Sequence, residues 1–234
     1  STPMAVWYAA QAGLDGGAVI TASHLGKAHN GFKLYAAKAK PLGAKNGLGE
    51  IRKIVEGETQ TKTQGAVGKI VNEDIVAKYV SFLVGHLKPA RRLKIAIDAG
   101  HGAAGPEVIE LAKQAKALVD IIPLNAEPDG TFPTRTPNPL DEGSMTELIS
   151  VVRNQKCDFG VSLDGDADRA VFVDEDGQVV PTDLMIGLIG GELIKRHGGD
   201  SVVYDLRASR AVPEYIQEAG GQAIRTGVGT NFMM

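Results

Sequence analysis

From residue 93 onwards, short apolar runs alternate with longer stretches in which apolar residues recur every three or four positions. The short runs predict buried β-strands, and the longer stretches predict amphipathic helices. The predicted strands are Leu93–Asp98, Ala117–Ile122, Phe159–Leu163, Ala170–Val173, Ser201–Leu206 and Gln222–Thr226. The predicted helices are Pro106–Lys116, Met145–Gln155, Thr182–His197 and Ser209–Ala219. This alternation predicts α/β layers with mainly parallel sheets.

The N-terminal part of the chain shows two predicted strands around one polar loop. The strands are Gly17–Thr21 and Phe32–Tyr35, and the loop is Ser23–Gly31. Before them, Ser1-Thr2-Pro3 can cap a helix that continues to Leu14, because proline is favoured near the start of a helix.

Residues 36–70 are rich in lysine and glycine and contain few large apolar side chains. We therefore expect a surface excursion or a linker there. A helix is predicted from Glu73 to Leu87, where the apolar residues fall on roughly one face. These residues are Ile75, Val76, Tyr79, Val80, Leu83 and Val84.

Composition places the chain among globular proteins, with 234 residues of which 43% are hydrophobic and 23% charged. At about 150 residues per domain, this length predicts one large domain or two partial ones. A net charge of −3 does not indicate binding to nucleic acid or to a membrane surface, so we expect neither partner. Cys157 is the one cysteine, which prevents an internal disulfide and fits a reducing compartment. Because apolar runs are short and no basic-then-apolar signal opens the chain, we expect a cytoplasmic protein.

Three aspartates at alternate positions form the most informative motif. They are Asp164, Asp166 and Asp168, and Arg169 follows at once. A tight loop between two apolar strands can direct three carboxylates to one point, where their oxygens suit a hard divalent cation. Without a cation, three charges this close would repel one another. The guanidinium beside them could hold an anionic group that is brought to the metal. A solvated acidic turn is the simpler alternative.

The calcium loop of the EF-hand is a second alternative for this motif, because Glu175 is the twelfth residue counted from Asp164. That loop needs glycine at its sixth position, where this chain has Arg169. It also needs flanking helices, where strands are predicted. Both differences disfavour an EF-hand.

The polar loop contains Ser23 and His24, and Lys33 follows it on the next predicted strand. A serine beside a histidine could be a nucleophile or carry a phosphoryl group, and the lysine could transfer a proton or bind an anion. The sequence around Ser23 is not a G-x-S-x-G elbow, and no acid stands out to orient the histidine. A serine hydrolase is therefore a weak alternative.

Gly100–Gly105 matches G-x-G-x-x-G between a strand and a helix, which is the setting of a dinucleotide fingerprint. The acid that such a site needs about 20 residues later would be Asp120, which falls inside a predicted strand instead of at its end. Asp98 would also place a negative charge beside an incoming pyrophosphate. Tight packing of strand against helix is therefore the favoured interpretation, and dinucleotide binding is the alternative.

Together these motifs resemble the α-D-phosphohexomutases, the phosphoglucomutase/phosphomannomutase family. The resemblance is carried by Thr21-Ala22-Ser23-His24 with Asn30-Gly31-Phe32-Lys33, and by Asp164-Gly165-Asp166-Ala167-Asp168-Arg169. The other similar segments are Ser1–Met4, Asp98–Gly102, Glu127–Pro133, Pro137–Pro139 and Arg225–Gly229. Their order and spacing hold across nearly the whole chain.

The resemblance implies mixed- or parallel-sheet α/β domains of the phosphohexomutase type, within a four-domain architecture around a deep cleft. Residues 1–72 would be the C-terminal part of domain I with the phosphoserine loop, 73–176 domain II with the metal loop, and 177–234 the start of domain III. The family's N-terminal arginine motif, third-domain sugar loop and fourth-domain phosphate site are absent from this sequence. We therefore expect a piece of a longer protein that can be inactive alone.

The resemblance also implies a role for each matching residue. Ser23 would carry the transferable phosphoryl group, His24 would support its loop, and Lys33 would transfer a proton. The implied ligands of one Mg²⁺ per site are Asp164, Asp166, Asp168 and, through a phosphate oxygen, Ser23. The implied substrate contacts are Lys33, Arg169 and, on a weaker match, Arg207.

The implied activity interconverts hexose 1-phosphate and hexose 6-phosphate, with glucose, mannose or both as the sugar. Phospho-Ser23 would convert the sugar phosphate into a hexose 1,6-bisphosphate, which is also the activator, and then take back the other phosphate. A non-catalytic relative that binds sugar phosphate or metal is the alternative. The sequence predicts neither the choice between sugars nor an oligomeric state.

Four residues depart from the family's usual pattern. They are Leu25 and Gly26 in place of Asn-Pro, His29 in place of an aromatic residue, and Thr230 in place of histidine. Because the serine, the lysine and the three aspartates are intact, we expect a divergent mutase that has kept its chemistry.

Overall fold

The structure is a computed structural model that describes residues 1–44, 46–57, 68–198 and 201–229. Its α-helices are α1 (Thr2–Gln11), α2 (Leu48–Val55), α3 (Val76–His86), α4 (Gly105–Gln114), α5 (Thr146–Gln155), α6 (Thr182–His197) and α7 (Ala211–Glu218). Its strands are β1 (Gly16–Ile20), β2 (Phe32–Ala36), β3 (Lys40–Pro41), β4 (Leu93–Asp98), β5 (Val119–Leu124), β6 (Phe159–Leu163), β7 (Ala170–Asp174), β8 (Val179–Val180), β9 (Ser201–Asp205) and β10 (Gln222–Thr226).

The largest sheet has five strands in the order β5-β4-β6-β7-β8. Its first three strands are parallel, and β7 and β8 continue it in antiparallel pairing. Alternate residues of β4 point to opposite faces: Ile95 packs with Val108 of α4, and Ala96 packs with Leu148 of α5. The sheet is therefore covered by helices on both faces, in line with the α/β layers predicted from the sequence.

Two smaller sheets lie on either side of this unit in the sequence. β1, β2 and β3 form an antiparallel sheet, whereas β9 and β10 form a parallel pair. The prediction of mainly parallel sheets is thus corrected to mixed sheets. The reason is that loops without a helix join β1 to β2 and β6 to β7, and such connections give antiparallel neighbours.

Element boundaries differ from the predicted ones in a few places. Helix α1 ends before Leu14 because Gly13 adopts a left-handed φ of 62°. β5 continues through Pro123 to Leu124, since its register with β4 places Pro123 opposite Ile97. The predicted excursion at residues 36–70 contains β3 and α2, while residues 45 and 58–67 lie outside the described part. Among the described residues, no helix has the length and apolarity to cross a membrane.

Candidate active site

Two loops that are distant in the sequence meet at the carboxyl end of β6. The serine loop, residues 21–31, joins β1 to β2, and the aspartate loop, residues 164–169, joins β6 to β7. Thr21 links them, because its Oγ1 accepts a hydrogen bond from the Ser23 amide at 2.8 Å and donates to Asp166 Oδ2 at 3.0 Å. A Cβ at Gly165 would overlap the carbonyl oxygen of Ser23, so glycine is needed where the loops touch.

Arg169 connects the serine hydroxyl to the aspartate loop. Its Nη2 lies 3.1 Å from Ser23 Oγ and 2.6 Å from Asp164 Oδ2. The Arg169 amide and Nε also donate to Asp164, at 3.1 and 2.8 Å. Ser23 itself has a left-handed φ of 58°, which is uncommon for a serine. The arrangement places a guanidinium where it can neutralise an anionic group on the serine oxygen.

The three predicted metal ligands are close to one another. Asp164, Asp166 and Asp168 each offer a carboxylate oxygen, and these oxygens lie within 4.8 Å of one another. Asp164 and Asp166 are buried, whereas Asp168 is exposed. Asp166 Oδ1 is buried and has no hydrogen-bond partner among the residues that the structure describes. A buried, unpartnered carboxylate oxygen within a set of oxygen donors fits a hard divalent cation.

Lys33 reaches the same carboxylates from β2. Its Nζ lies 2.5 Å from both Asp166 Oδ2 and Asp168 Oδ2. Burial lowers the pKa of Lys33, but the hydrogen bonds to the two carboxylates outweigh it and leave that pKa above its usual value. The lysine is therefore an ammonium at neutral pH in this arrangement.

Burial raises the pKa of both buried carboxyl groups, but their neighbours lead to opposite net shifts. Desolvation raises the pKa of Asp164, despite the opposing charge of Arg169. Desolvation also acts on Asp166, but hydrogen bonds from Lys33, Thr2 and Thr21 leave the pKa of Asp166 below its usual value. Asp166 is thus held as a carboxylate by its neighbours.

Most of the predicted site residues come together here. His24 joins the cluster through its Nδ1, which is 3.3 Å from Ser23 Oγ. Arg207 does not reach it, because its guanidinium pairs with Asp205 at 2.6 Å. Arg207 nevertheless lines a cleft of about 620 Å³ together with Asp168 and Arg169. The departure from the family pattern at Thr230 lies outside the described residues.

Two further contacts were not anticipated from the sequence. Thr2 donates from Oγ1 to Asp166 Oδ2 at 2.6 Å, and its amide donates to the Asp166 carbonyl at 2.9 Å. Ser1-Thr2-Pro3 predicted a helix start and belongs to a segment that resembles the family, and Thr21 belongs to another such segment, but neither threonine was given a role. No local pattern connects either threonine to an aspartate so far along the chain, so these bonds could not be predicted from the residues.

The geometry disfavours two of the alternatives. The aspartate loop is flanked by β6 and β7 instead of the helices of an EF-hand. In the described part of the chain, no carboxylate lies within hydrogen-bond distance of His24, so a hydrolase triad has no orienting acid.

The glycine loop, residues 100–105, allows the chain to pack closely against the aspartate loop. A Cβ at Gly102 would lie 2.7 Å from the carbonyl oxygen of Gly165, in the aspartate loop. Asp120 is exposed near the start of β5, whereas the glycine loop follows the opposite, carboxyl end of β4. A dinucleotide site that uses Asp120 for its ribose therefore does not form.

Comparison with known families gives a match over most of the chain. Residues 1–63 match the family model "Phosphoglucomutase/phosphomannomutase, alpha/beta/alpha domain I", and residues 76–177 match the corresponding model of domain II. The chain belongs to the phosphoglucomutase/phosphomannomutase family. This confirms the resemblance and the α/β fold class predicted from the sequence, and the matched domains are of the α/β/α type.

Two curated members of the family illustrate the similarity. The chain is 32% identical over 233 residues to a phosphoglucomutase of Neisseria meningitidis, covering 100% of this chain and 50% of the relative. It is 30% identical over 226 residues to a phosphomannomutase of Vibrio cholerae, covering 94% of this chain and 49% of the relative. The chain thus spans about half the length of these relatives.

Solved structures agree on the fold. A phosphoglucomutase/phosphomannomutase family protein from Burkholderia thailandensis superposes with a TM-score of 0.82 at 28% identity, over 93% of this chain and 46% of that protein. An N-acetylphosphoglucosamine mutase from Aspergillus fumigatus, solved with GlcNAc-6P and magnesium, gives a TM-score of 0.59 at 18% identity, over 99% of this chain and 59% of that protein. At that identity the second likeness shows the fold alone.

Proposed function

We propose that this chain carries the phosphoserine and metal loops of a phosphohexomutase that interconverts hexose 1-phosphate and hexose 6-phosphate, with glucose, mannose or both as substrate. One observation carries the proposal: the Arg169 guanidinium is shared between Ser23 Oγ, at 3.1 Å, and the carboxylate of Asp164, at 2.6 Å. The family membership supports it, since named relatives include both a phosphoglucomutase and a phosphomannomutase.

In this proposal Ser23 carries the transferable phosphoryl group. Arg169 would contact that group through Nη2, which already lies at the serine oxygen. His24, with Nδ1 at 3.3 Å from the same oxygen, would support the loop. Phosphoryl transfer depends mainly on positioning and on neutralising charge, which these contacts can supply.

The aspartate loop is the proposed metal site. Asp164, Asp166 and Asp168 would hold one Mg²⁺ with a phosphate oxygen on Ser23. The unpartnered Oδ1 of Asp166 supports this assignment. When bound, the ion would neutralise charge that develops on the transferred phosphoryl group.

Lys33 is the proposed proton-transfer residue. When a phosphoryl group passes from Ser23 to a sugar hydroxyl, the hydroxyl loses a proton and the serine oxygen gains one. A lysine that is protonated in the resting site can donate first and accept afterwards. Its position between two carboxylates of the aspartate loop supports this role.

The cleft that contains Asp168 and Arg169 is the proposed path for the sugar phosphate. Arg207 would contact the substrate there after leaving Asp205. We also propose that the chain divides into three domain parts, residues 1–72, 73–176 and 177–234. Strand β8, at the start of the third part, connects it to the second because it pairs with β7.

The half-reaction on Ser23 tests the proposal. The chain is incubated with glucose 1,6-bisphosphate and Mg²⁺, and phosphorylation is located by intact mass and peptide mapping. We expect one phosphoryl group on Ser23, its loss in Ser23→Ala, and no change in Ser81→Ala, which alters an exposed serine on α3. Absence of phosphate from Ser23, both in this chain and in a full-length protein that contains it, would contradict the proposal and favour a non-catalytic relative that binds sugar phosphate or metal.

A further inference from the structure

A buried ion pair lies beneath the aspartate loop and has no role in the chemistry proposed above. Arg135 belongs to the proline-rich segment 123–140, and its side chain is 5% exposed, whereas that of its partner Asp98 is 1% exposed. The Arg135 Nε donates to Asp98 Oδ2 at 2.5 Å. A buried ion pair is maintained only where further hydrogen bonds satisfy its remaining polar atoms.

The remaining donors of Arg135 go to backbone carbonyls, one of them next to the proposed metal site. Its Nη2 donates to the carbonyl oxygen of Leu163 at 2.8 Å, and Nη1 donates to that of Thr136 at 2.9 Å. Leu163 is the last residue of β6 and directly precedes Asp164. The pairing of β4 with β6 ends at Asp98 and Ser162, so Arg135 extends the link between these strands by one residue.

The same segment also holds the other side of Asp164. The carbonyl oxygen of Pro137 accepts a hydrogen bond from the Gly165 amide at 3.1 Å. Arg135 and Pro137 therefore contact the residues on both sides of Asp164. Glycine is required at position 100, because a Cβ there would overlap the Arg135 guanidinium.

We propose that Arg135 is a positioning residue for the metal site: its guanidinium fixes the Leu163 carbonyl against Asp98 and thereby sets the position of the Asp164 carboxylate. The inference rests on the proposed function, since it assumes that the aspartate loop binds Mg²⁺. Arginine suits this role because separate N–H groups of one planar guanidinium reach the Asp98 carboxylate and the Leu163 carbonyl together. The single ammonium of lysine does so less well.

Titration calorimetry of the 234-residue chain with Mg²⁺ tests the inference. We expect Arg135→Lys to weaken Mg²⁺ affinity by about tenfold, as is typical when a residue that orients a metal ligand is replaced. The matched control is Arg153→Lys. Arg153 also donates to a carbonyl, that of Asp176 at 2.8 Å, and also packs over a glycine, Gly177. These contacts follow the end of β7, whereas the aspartate loop precedes its start. Replacement of Arg153 is expected to leave the affinity unchanged.

A loss of stability alone would not distinguish positioning from simple structural support, so affinity is measured well below the melting temperature of each variant. If Arg135→Lys does not fold, the double variant Asp98→Asn/Arg135→Gln leaves no buried charge unpaired and is expected to show the same weakening. Wild-type affinity in a folded variant of either kind would overturn the inference. A wild-type chain that binds no Mg²⁺ would overturn the proposed metal site as well, so the two failures are distinguishable.

Discussion

The two oxygens of Asp166 have very different surroundings. Oδ2 accepts from Thr2, Thr21 and Lys33, whereas Oδ1 is buried without a partner in the described part of the chain. The Lys33 ammonium also contacts Asp168, so a cationic group already lies among the proposed ligands. It follows that Lys33 competes with a divalent cation for the same carboxylates.

Replacing Lys33 by methionine is therefore expected to tighten Mg²⁺ binding, on the order of tenfold, because a competing positive charge is removed. Titration calorimetry of the chain measures the effect. Lys40→Met, on β3 of the same sheet, is the control and is expected to bind as the wild type does. Weaker binding in Lys33→Met would contradict the competition and make the lysine a support of the metal site.

At this scale the sequence could single out candidate groups but not their neighbours. Ser23, Lys33 and the three aspartates could be chosen because their motifs resemble those of the family, and the alternate spacing of the aspartates also suits a divalent cation. Thr2 could not, since its bond to Asp166 spans 164 positions and depends on how α1 packs. Arg207 was chosen by a weak match, and in the structure its own neighbour Asp205 holds it.

Among the elements, the glycine loop, residues 100–105, provides close packing, although its motif can also indicate dinucleotide binding. Gly102 lets the start of α4 approach the aspartate loop, since the amide of Ala103 donates to the Gly165 carbonyl at 2.9 Å. A side chain at Gly102 would push against that carbonyl. The loop therefore connects the packing of α4 to the position of the proposed metal ligands.

We expect Gly102→Ala to lower the free energy of unfolding by about 1–3 kcal/mol and to weaken Mg²⁺ binding, because its Cβ forces the aspartate loop to shift. Denaturant unfolding and calorimetry measure the two effects. Gly130→Ala is the matched control, because a Cβ there meets nothing within 4 Å. Saturable NAD⁺ binding by the wild-type chain that is lost in Gly102→Val would instead support the dinucleotide interpretation.

The packing of α5 against the central sheet depends on Leu148. Its side chain is 0% exposed and lies in the cluster with Ala96, Val152 and Val173. Leu148→Ala is expected to cost about 2–5 kcal/mol of unfolding free energy, from lost burial and the cavity left behind. The control is Leu140→Ala, where the leucine is 67% exposed, and it should change the unfolding free energy by less than about 0.5 kcal/mol. Similar losses in both variants would show that α5 does not pack as described.

Elements with a strong periodic pattern were predicted almost to the residue, and short ones were missed. Helix α6 and strands β4, β6 and β10 have the predicted bounds. β3 and β8 have two residues each, too few to show an alternation, and they form only because β2 and β7 offer free edges. Helix α2 was missed for another reason: Leu48, Ile51 and Val55 have helical spacing, but the helix is short, has no buried residue and lies in a stretch rich in lysine and glycine.

Across the whole molecule, the site is built from parts far apart in the sequence. The serine and Lys33 come from the hairpin of β1 and β2, and the carboxylates come from the loop after β6. The cleft beside them is lined by Asn138, Arg169 and Arg207, which come from different segments. The chain therefore assembles both proposed halves of the chemistry, the phosphoryl carrier and the metal ligands, within half the length of its relatives.

In the proposed function, Ser23 and the aspartate loop form one site. The decisive measurement is the Mg²⁺ affinity of the chain with phosphoserine at position 23, compared with that of the unmodified chain. We predict binding at least about tenfold tighter in the phosphorylated chain, because a phosphate oxygen completes the set of oxygen ligands. Asp166→Asn should abolish the difference. Equal affinity in the two forms would contradict the account, since it would mean that the serine and the metal act at separate places.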